Sequence, residues 1–516
     1  MKTMIEKLLG LDSCMGSDMT ASACPYVSIG VEPLNNSFKV ALRHLVRRLR
    51  TLTHEPMTML FEQLFAWAWN RLVARPKHPT NPNALSLGQL VIDGQVTASR
   101  MVIPQIKRAE HMAVLGRTGT GKSSLLLYLA SQDIASGRGF LFFDLHGDAT
   151  STLLQMLAGQ EQVLKQDLSR KVIVIEPADQ EFSVGLNVLE PAASQHTFVQ
   201  IAEFAGLLKQ RWHLDAFGAR TEELLRNSLL LLSENRLTLL ELPLLLTDDA
   251  FRARCLRGAS NSEARDYFAV RYNQASEGQQ AMFRDAVLNK VSAFTADPHF
   301  RHILGQQHST FSLIDAIDSG HFIILNLDKG RLGEHAATLG SLLLTKVKNA
   351  LFARRRRQLF TLYCDEIQNL LAFDSGLDTL LSEARKFGIG VVSANQFLDQ
   401  YPQSMRAAIM AIGTHILFQL SSGDAEKMAA ALDGGKHLAE TLKNLPQRHL
   451  VVKSGHERHA RVVVPEFQPP GADYQGLYNR CRARWARRRN EVEREIRGRV
   501  RMDPGEETRE ALHDWE

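Results

Sequence analysis

The chain has 516 residues, of which 44% are hydrophobic and 23% are charged, with a formal net charge of +5. This composition excludes a wholly disordered chain and a bundle of membrane helices, and the length allows about two to four domains. Because no stretch reaches the ~18 consecutive apolar residues of a spanning helix, none is expected.

Cysteine usage and the amino terminus favour a reducing, cytoplasmic location. The five cysteines are scattered, odd in number and without a C-x-x-C pair, so they indicate neither a disulfide framework nor a zinc site. The first residues, MKTMIEKLLGLDS, lack the layout of a signal peptide. We therefore expect a cytoplasmic protein that associates with a membrane only through a partner.

Residues 1–84 are predicted to form a helical leader that ends in a linker. The segment FKVALRHLVRRLRTL, residues 38–52, has a basic amphipathic pattern, and the Pro- and Asn-rich RPKHPTNPN follows at residues 75–83. We expect the amphipathic helix to pack on the protein itself, with a membrane surface or nucleic acid as the alternative.

From residue 85 the pattern is typical of an α/β protein. Nearly continuous apolar runs alternate with helical runs, which predicts a mainly parallel sheet covered on both faces. The predicted strands are 111–115, GFLFFDL (139–145), KVIVIEP (171–177), HFIILNL (321–327), QLFTLYCDE (358–366), GIGVVSANQ (388–396) and THILFQLS (414–421). Residues 194–311 show almost entirely helical patterns, and the chain closes with a β-rich stretch and an arginine-rich helix.

The most informative motif is G-x-x-x-x-G-K-S at residues 116–123, between a predicted strand and a leucine-rich helix. Backbone N–H groups of such a loop cradle phosphates, while Lys122 reaches the β and γ oxygens and the Ser123 hydroxyl ligates Mg²⁺. The predicted nucleotide-binding residues are Gly116, Thr118, Gly119, Thr120, Gly121, Lys122, Ser123 and Ser124. The sequence therefore predicts a nucleoside triphosphate site, with ATP and Mg²⁺ as the expected ligands.

Two later strands are predicted to complete this site. LFTLYCDEIQNLL ends a strand in Asp365, which is suited to hold Mg²⁺, and in Glu366, which is suited to polarise a water for attack on the γ-phosphate. The second acid favours hydrolysis over transfer to a small acceptor. The strand that ends at Gln396 is expected to point this side chain toward the γ-phosphate.

Arg385 and Lys386 lie on a predicted helix between those two strands. A guanidinium beside the γ-phosphate offsets charge in the transition state, and a neighbouring subunit can supply it. Spacing alone favours the alternative, a solvated helix face.

The segments LGRTGTGKSS, FFDLHGD, NLDKGRLGE, YCDEIQNLL and LSEARKFGIGVVSANQ together resemble the HerA/FtsK superfamily of P-loop ATPases, in particular its conjugative coupling-protein branch, the type IV secretion DNA translocases. The resemblance spans roughly residues 85–500. It implies a ring hexamer that hydrolyses ATP at subunit boundaries while DNA passes through the channel. It also implies Gln396 as a sensor and Arg385 as the arginine acting in trans, with Arg331 as its rival.

The predicted fold class is α/β, a P-loop NTPase core of RecA-like type with a mainly parallel sheet, an all-helical insertion and a small β-containing C-terminal region. The predicted parts are the leader and linker (1–84), the first part of the ATPase core (85–193), the helical insertion (194–311), the second part of the core (312–467) and the arginine-rich helix and tail (468–516).

The expected function is an ATP-driven homo-hexameric motor that moves DNA without strong sequence preference, in transfer of a plasmid or integrative element. A relaxase, a secretion channel or a nuclease is the expected kind of partner. Two alternatives stay open, an ATPase scaffold for a nuclease in mobile-element defence and a protein-secretion ATPase. The ten arginines of residues 480–501 neutralise phosphates in one interpretation and form a salt-bridged, solvated helix in the other.

Overall fold

The computed structural model describes residues 84–191, 197–211, 219–333, 335–367 and 377–500. Apart from Ala84, the predicted leader lies outside the described residues, and so does its basic amphipathic helix. Within the described ranges, no helix is both long enough and apolar enough to cross a membrane.

Eleven strands of the described chain form one sheet, and two more form a small separate sheet. The strands are β1 (Ala84–Ile92), β2 (Gln95–Pro104), β3 (Met112–Leu115), β4 (Phe140–Asp144), β5 (Val172–Ile175), β6 (Phe182–Ser183), β7 (Phe322–Asn326), β8 (Phe360–Asp365), β9 (Ile389–Asn395), β10 (Thr414–Leu417), β11 (His449–Ser454), β12 (Ala460–Val463) and β13 (Arg487–Arg488). The large sheet has the order β2-β1-β12-β11-β10-β3-β9-β8-β4-β7-β5. The seven strands from β10 to β5 are parallel, and they are the seven that the apolar runs predict, so the predicted core is confirmed.

Four antiparallel strands extend this core on one side. Strands β11 and β12 form the predicted β-rich stretch, in which β11 pairs with β10 and β12 pairs with β11. The hairpin of β1 and β2 is not predicted by the sequence patterns, and it joins the sheet by pairing β1 with β12 from the far end of the chain. Because β2 is an edge strand with mostly exposed or half-buried side chains, its sequence QVTASRMVIP contains only one short apolar run, at residues 101–103.

The helices of the described residues alternate with the parallel strands. They are α1 (Lys122–Ala135), α2 (Asp148–Leu164), α3 (Thr197–Arg211), α4 (Ala219–Glu234), α5 (Leu242–Thr247), α6 (Asp249–Gly258), α7 (Ser262–Asp266), α8 (Glu277–Thr295), α9 (Pro298–Leu304), α10 (Leu313–Asp318), α11 (Lys329–Leu332), α12 (His335–Ala353), α13 (Leu377–Glu383), α14 (Gln403–Met410), α15 (Ser422–Ala431), α16 (Gly435–Lys443), α17 (Gln475–Trp485) and α18 (Arg489–Val500). The described part of the insertion, from α3 to α9, contains helices and turns only, as predicted. Its exact boundaries, like those of the other predicted parts, stay a prediction.

Helices cover both faces of the parallel strands, which explains why every residue of β3, β4 and β9 is buried. On one face, Phe142 lies in a core with Leu125 of α1 and Leu153 of α2. On the other face, Phe143 lies in a second core with Leu343 of α12. The two cores hold the strand ends in fixed positions, and these ends carry the predicted site residues.

The arginine-rich C-terminal segment differs from its prediction as one continuous helix. Helices α17 and α18 are separate, because Ala486 is extended and β13 pairs with β6. The guanidinium of Arg482 lies 4.4 Å from the ring centre of Phe182, a cation–π contact that fixes this pairing.

Candidate functional site

The phosphate-binding loop connects the end of β3 to the start of α1, as the motif requires. Gly119 and Gly121 have φ angles of 78° and 113°, which residues with a Cβ rarely adopt. A Cβ at Gly116 would lie 2.5 Å from the Cβ of Phe418, so only glycine fits there. The loop therefore needs its glycines for backbone shape and for close packing.

The loop is also fixed by long-range contacts that the sequence patterns do not predict. The N–H of Gly116 donates to the carbonyl of Asn395 (3.2 Å), and the N–H of Arg117 donates to the carbonyl of Gln419 (2.9 Å). At the loop tip, Gln447 Nε2 donates to the carbonyl of Gly119 (3.1 Å). These long-range contacts shape the loop, and no motif in the sequence marks them.

Lys122 lies inside the loop, and its Nζ donates to the carbonyls of Gly116 (2.7 Å) and Arg117 (3.1 Å). Burial lowers the pKa of this ammonium, while the nearby carboxylates of Asp365 and Glu366 oppose that shift. The Thr120 hydroxyl donates to the Arg117 carbonyl (2.7 Å), whereas Ser124 is exposed on the first turn of α1.

Ser123 and Asp365 come together as the sequence predicts. The Ser123 hydroxyl donates to Oδ2 of Asp365 at 2.5 Å, across the gap between α1 and β8. Burial raises the pKa of Asp365, while this hydrogen bond and the charge of Lys122 act in the opposite direction. A hydroxyl and a carboxylate oxygen side by side fit Mg²⁺, which in such sites takes few protein ligands beside phosphate oxygens and water. No cluster of three or more His, Cys, Asp or Glu suited to a metal occurs in the described part of the chain.

Glu366 is held by side chains from two other loops. Its Oε1 accepts from Gln396 Nε2 (2.9 Å), and its Oε2 lies 3.1 Å from Nε2 of His146. The Gln396 amide oxygen in turn accepts from the Thr118 hydroxyl (3.1 Å) in the phosphate-binding loop. Glu366 itself has a φ of 52°, a conformation that is strained for a residue with a side chain. The arrangement connects the predicted water-activating acid, the predicted sensor and the loop.

The contact of His146 is the feature that sequence analysis misses, although the residue lies in the DLHGD string. Asp144 builds this turn, because its carboxylate accepts from the N–H groups of Gly147 (2.9 Å) and Thr150 (2.7 Å). Asp144 therefore caps α2, and Asp148 lies exposed in the first turn of that helix. The turn projects His146 toward Glu366.

Arg385 lies far from these residues within its own chain. It follows α13 in a short 3₁₀ turn, Ala384–Phe387, before β9, whereas Gln396 follows the end of β9. Seven strand residues at about 3.3 Å each separate the two positions by roughly 20 Å. We call the edge where the parallel strands end the carboxyl edge and the opposite one the amino edge. Arg385 is at the amino edge, where NH2 lies 3.0 Å from Oε1 of Glu110 and 66% of the side chain is exposed.

The rival arginine, Arg331, is at the carboxyl edge but is engaged elsewhere. Its NH1 lies 2.7 Å from Oε1 of Glu176, and its NH2 donates to the carbonyl of Ala178 (2.6 Å). These contacts direct the guanidinium toward the loop after β5.

The C-terminal arginines are mostly paired within the chain. Arg480 lies beside Glu161, Arg482 beside Asp179, and Arg499 beside the buried Glu241. Within α18, Arg497 pairs with Glu493 four residues earlier, and Arg499 with Glu495. For the second half of the segment, this supports the salt-bridged interpretation over phosphate neutralisation.

Comparison with known proteins gives a family and a fold. The family model described as "Helicase HerA, central domain" matches residues 87–347. The structure is similar to the bacterial conjugative coupling protein TrwBdeltaN70 in its unbound monoclinic form, with 19% identity, a TM-score of 0.52, and coverage of 76% of this chain and 92% of that chain. It is similar to plasmid coupling protein TrwB in complex with ADP and Mg²⁺, with 20% identity, a TM-score of 0.51, and coverage of 75% and 96%.

VirB4 of Thermoanaerobacter pseudethanolicus is similar as well, with 16% identity, a TM-score of 0.52, and coverage of 77% of this chain and 98% of that chain. No curated protein matches the sequence. At these identities the solved structures establish the shared fold. The resemblance inferred from the sequence motifs is thereby confirmed at the level of family and fold.

Proposed function

Because the chain belongs to the HerA central-domain family, we propose that it is an ATP-hydrolysing ring motor that moves DNA in the cytoplasm, in conjugative transfer of a plasmid or integrative element. One observation carries the proposal. Three separate segments come together at the carboxyl edge, where Ser123 hydrogen-bonds Asp365, Gln396 hydrogen-bonds Glu366, and the charge of Lys122 interacts with both carboxylates. A P-loop alone is shared by many NTPases. This set contains every group that hydrolysis needs except one: a second positively charged side chain, beside Lys122, that offsets charge on the γ-phosphate.

Each residue has a definite role in this proposal. The loop from Gly116 to Ser124 binds the phosphates through its N–H groups, and Lys122 exchanges its carbonyl partners for phosphate oxygens. Ser123 and Asp365 would hold Mg²⁺, and the ion would supply positive charge to offset that of the phosphates. Glu366 accepts a proton from the attacking water, and Gln396 orients the same carboxylate.

The missing cation is assigned to a neighbouring subunit. Arg385 is exposed at the amino edge, roughly 20 Å from its own phosphate site, so it reaches a γ-phosphate only if that edge faces the carboxyl edge of another copy. Such a head-to-tail contact closes into a ring when the rotation between copies allows it. We propose a homo-hexamer with one nucleotide site at each subunit boundary.

DNA is the proposed cargo. The matching family model is described as that of a helicase, and the similar TrwB is described as a conjugative, plasmid coupling protein. No base-reading module is evident from the sequence, so binding without strong sequence preference is expected. A relaxase or a secretion channel is the proposed partner in transfer.

The test is steady-state ATPase activity with and without DNA, at a protein concentration that supports assembly. We expect Mg²⁺-dependent hydrolysis that DNA stimulates. Lys122→Ala should lose nucleotide binding and hydrolysis, and Glu366→Gln should retain ATP and lose hydrolysis only. Wild-type turnover in either variant would contradict the site assignment. Hydrolysis that ignores DNA in assembled protein would contradict the cargo and favour a protein substrate or an effector partner.

A further inference from the structure

The turn before β11 contacts the phosphate-binding loop and carries an arginine. The N–H of Arg448 donates to the carbonyl of Thr120 in the loop (2.9 Å). One residue earlier in both segments, Gln447 donates to the carbonyl of Gly119 (3.1 Å). The Cα and Cγ atoms of Arg448 both lie 3.7 Å from the position that a Cβ on Gly121 would take. Arg448 therefore packs against the residue that directly precedes α1.

The backbone of Arg448 is strained. Its φ is 64°, in the left-handed region that residues with a side chain rarely adopt. Two hydrogen bonds hold this conformation, one from its own N–H to the loop and one to its carbonyl from the N–H of Val464 (2.9 Å), directly after β12. Such strain persists where the surrounding structure imposes it, and it clusters at active sites and ligand-binding sites. The conformation therefore indicates a function for this side chain.

The strand order places Arg448 on the side of the loop where the nucleoside of a bound nucleotide is expected. In the order β11-β10-β3-β9-β8, the loop follows β3, while Gln396 and Glu366 follow β9 and β8 on one side of it. These two residues mark the γ-phosphate end of the proposed site, so the rest of the nucleotide extends away from β9, toward β10 and β11. Because β11 is antiparallel to β10, it begins at the carboxyl edge, directly after Arg448.

A carboxylate lies beside this arginine at the same edge. NH1 of Arg448 lies 3.2 Å from Oε2 of Glu466, and 40% and 71% of the two side chains are exposed. Glu466 follows β12, and the segment that carries it reaches α2, where a Cβ on Gly159 would lie 3.4 Å from Cγ of Pro470. An ion pair this exposed adds little to the free energy of unfolding, so stabilisation of the fold does not account for the strain at Arg448.

We propose that Arg448 and Glu466 form the subsite for the nucleoside of ATP bound in the same subunit, with the guanidinium stacked on the base and the carboxylate accepting from the ribose hydroxyls. A planar guanidinium stacks on aromatic faces, and an acidic side chain binds the ribose hydroxyl in dinucleotide-binding sheets. The inference rests on the proposed function, that the loop binds ATP. It adds the residues that hold the nucleoside, which lie outside the phosphate-binding motif.

The test of Arg448 compares ligands with and without a nucleoside. The affinities of ATP and ADP are measured by titration calorimetry with Mg²⁺, and that of inorganic tripolyphosphate by competition with ADP. Arg448→Ala should weaken binding of both nucleotides by about 5- to 30-fold, as expected for the loss of a cation–π contact, and leave tripolyphosphate unchanged. Arg448→Gly, which suits the positive φ and so preserves the loop, should give the same result. In hydrolysis, KM should rise while kcat stays near the wild type.

The matched control is Arg458→Ala, in the exposed turn at the other end of the β11–β12 hairpin, and it should bind all three ligands like the wild type. Glu466 is tested with dideoxy-ATP, which lacks both ribose hydroxyls. The wild type should bind ATP about 10-fold more tightly than dideoxy-ATP, and Glu466→Ala should bind the two equally. Equal affinities in the wild type would contradict the role of Glu466.

Unchanged nucleotide affinity in both Arg448 variants would overturn the inference. Equal losses of nucleotide and tripolyphosphate binding would also overturn it and assign Arg448 to support of the loop. The titrations are repeated at concentrations below and above assembly, and a loss confined to assembled protein would assign Arg448 to contact with a second copy instead. Wild-type protein that binds no nucleotide would contradict the proposed function as well, whereas the other outcomes leave the phosphate site intact.

Discussion

Glu366 is the residue whose environment says most about the proposed chemistry. Its two carboxylate oxygens have different partners, Gln396 at 2.9 Å and His146 at 3.1 Å, and its backbone is in the left-handed region. A general base must hold one oxygen in line with the attacking water, and two fixed partners restrict the rotation of the carboxylate. We therefore propose that His146 is a positioning residue for Glu366.

Replacing His146 by alanine should lower kcat by about 10²-fold, the lower end of the range for lost general-base assistance, and leave ATP affinity unchanged. His146→Gln, which keeps a side-chain N–H donor, should recover part of the activity. The measurement is the kcat and KM of hydrolysis together with direct nucleotide binding.

A double variant separates positioning from folding. If His146 acts only through Glu366, adding His146→Ala to Glu366→Gln should cause no further loss of hydrolysis. A further loss in the double variant, or a His146→Ala protein with weakened ATP binding, would contradict the positioning role.

At the scale of elements, the 3₁₀ turn Ala384–Phe387 matters most, because it carries Arg385 away from its own site. Glu110 lies just before β3 and pairs with Arg385, so the turn is attached to the element that leads into the phosphate-binding loop. The ring of Phe387 also contacts that of Phe352 in α12 at 5.2 Å between centroids. The guanidinium is thus exposed on a supported element, as an arginine acting on a neighbour requires.

Removing Arg385 should lower the rate of hydrolysis by about 10³ to 10⁵-fold with little change in ATP affinity, whereas Arg331→Ala should stay near wild type. Mixed rings show where the arginine acts. Arg385→Ala subunits keep intact Walker residues, and Glu366→Gln subunits keep the arginine, so mixing the two should recover activity at a fraction of the boundaries. Verified mixed rings that stay inactive would contradict action in trans.

A buried hydrogen-bond network connects α1 with β8. Arg108 makes two hydrogen bonds of 2.6 Å to Asp133 of α1, and the Tyr363 hydroxyl of β8 donates to the same carboxylate at 2.7 Å. This network ties the helix that follows the phosphate-binding loop to the strand that ends in Asp365. Burying a charged pair is costly unless it is well hydrogen-bonded; here both terminal guanidinium nitrogens of Arg108 have partners and the buried Nε has none among the described residues, and these bonds fix the relative position of the two elements.

Across the whole molecule, the features that are predicted correctly from the sequence are those that local sequence patterns determine. The seven parallel strands are apolar runs because both faces of the sheet are covered by helices. The loop has glycines where its backbone has positive φ angles. The contact of Ser123 with Asp365 follows from two motifs whose strands end at the same edge. These features can be predicted from local motifs and from the rule that parallel strands end at the same edge of a sheet.

The features that escape the sequence depend on partners far along the chain. The hairpin of β1 and β2 is stabilised by β12, more than 350 residues later, and the break before α18 depends on the pairing of β13 with β6. The charge pattern of the C-terminal arginines predicts a phosphate surface as readily as a salt-bridged one, because the sequence does not show that Glu161, Asp179 and Glu241 lie opposite them. The contact of His146 with Glu366 escapes for the same reason.

ATP-driven movement along DNA tests the central claim most directly. The measurement is displacement of streptavidin from the end of a biotinylated single strand, and of a third strand from a triplex on duplex DNA, by assembled protein. The account predicts displacement from at least one substrate that requires ATP and Mg²⁺ and is lost in Glu366→Gln, although that variant still binds DNA. Assembled wild-type protein that hydrolyses ATP and displaces neither block would contradict it.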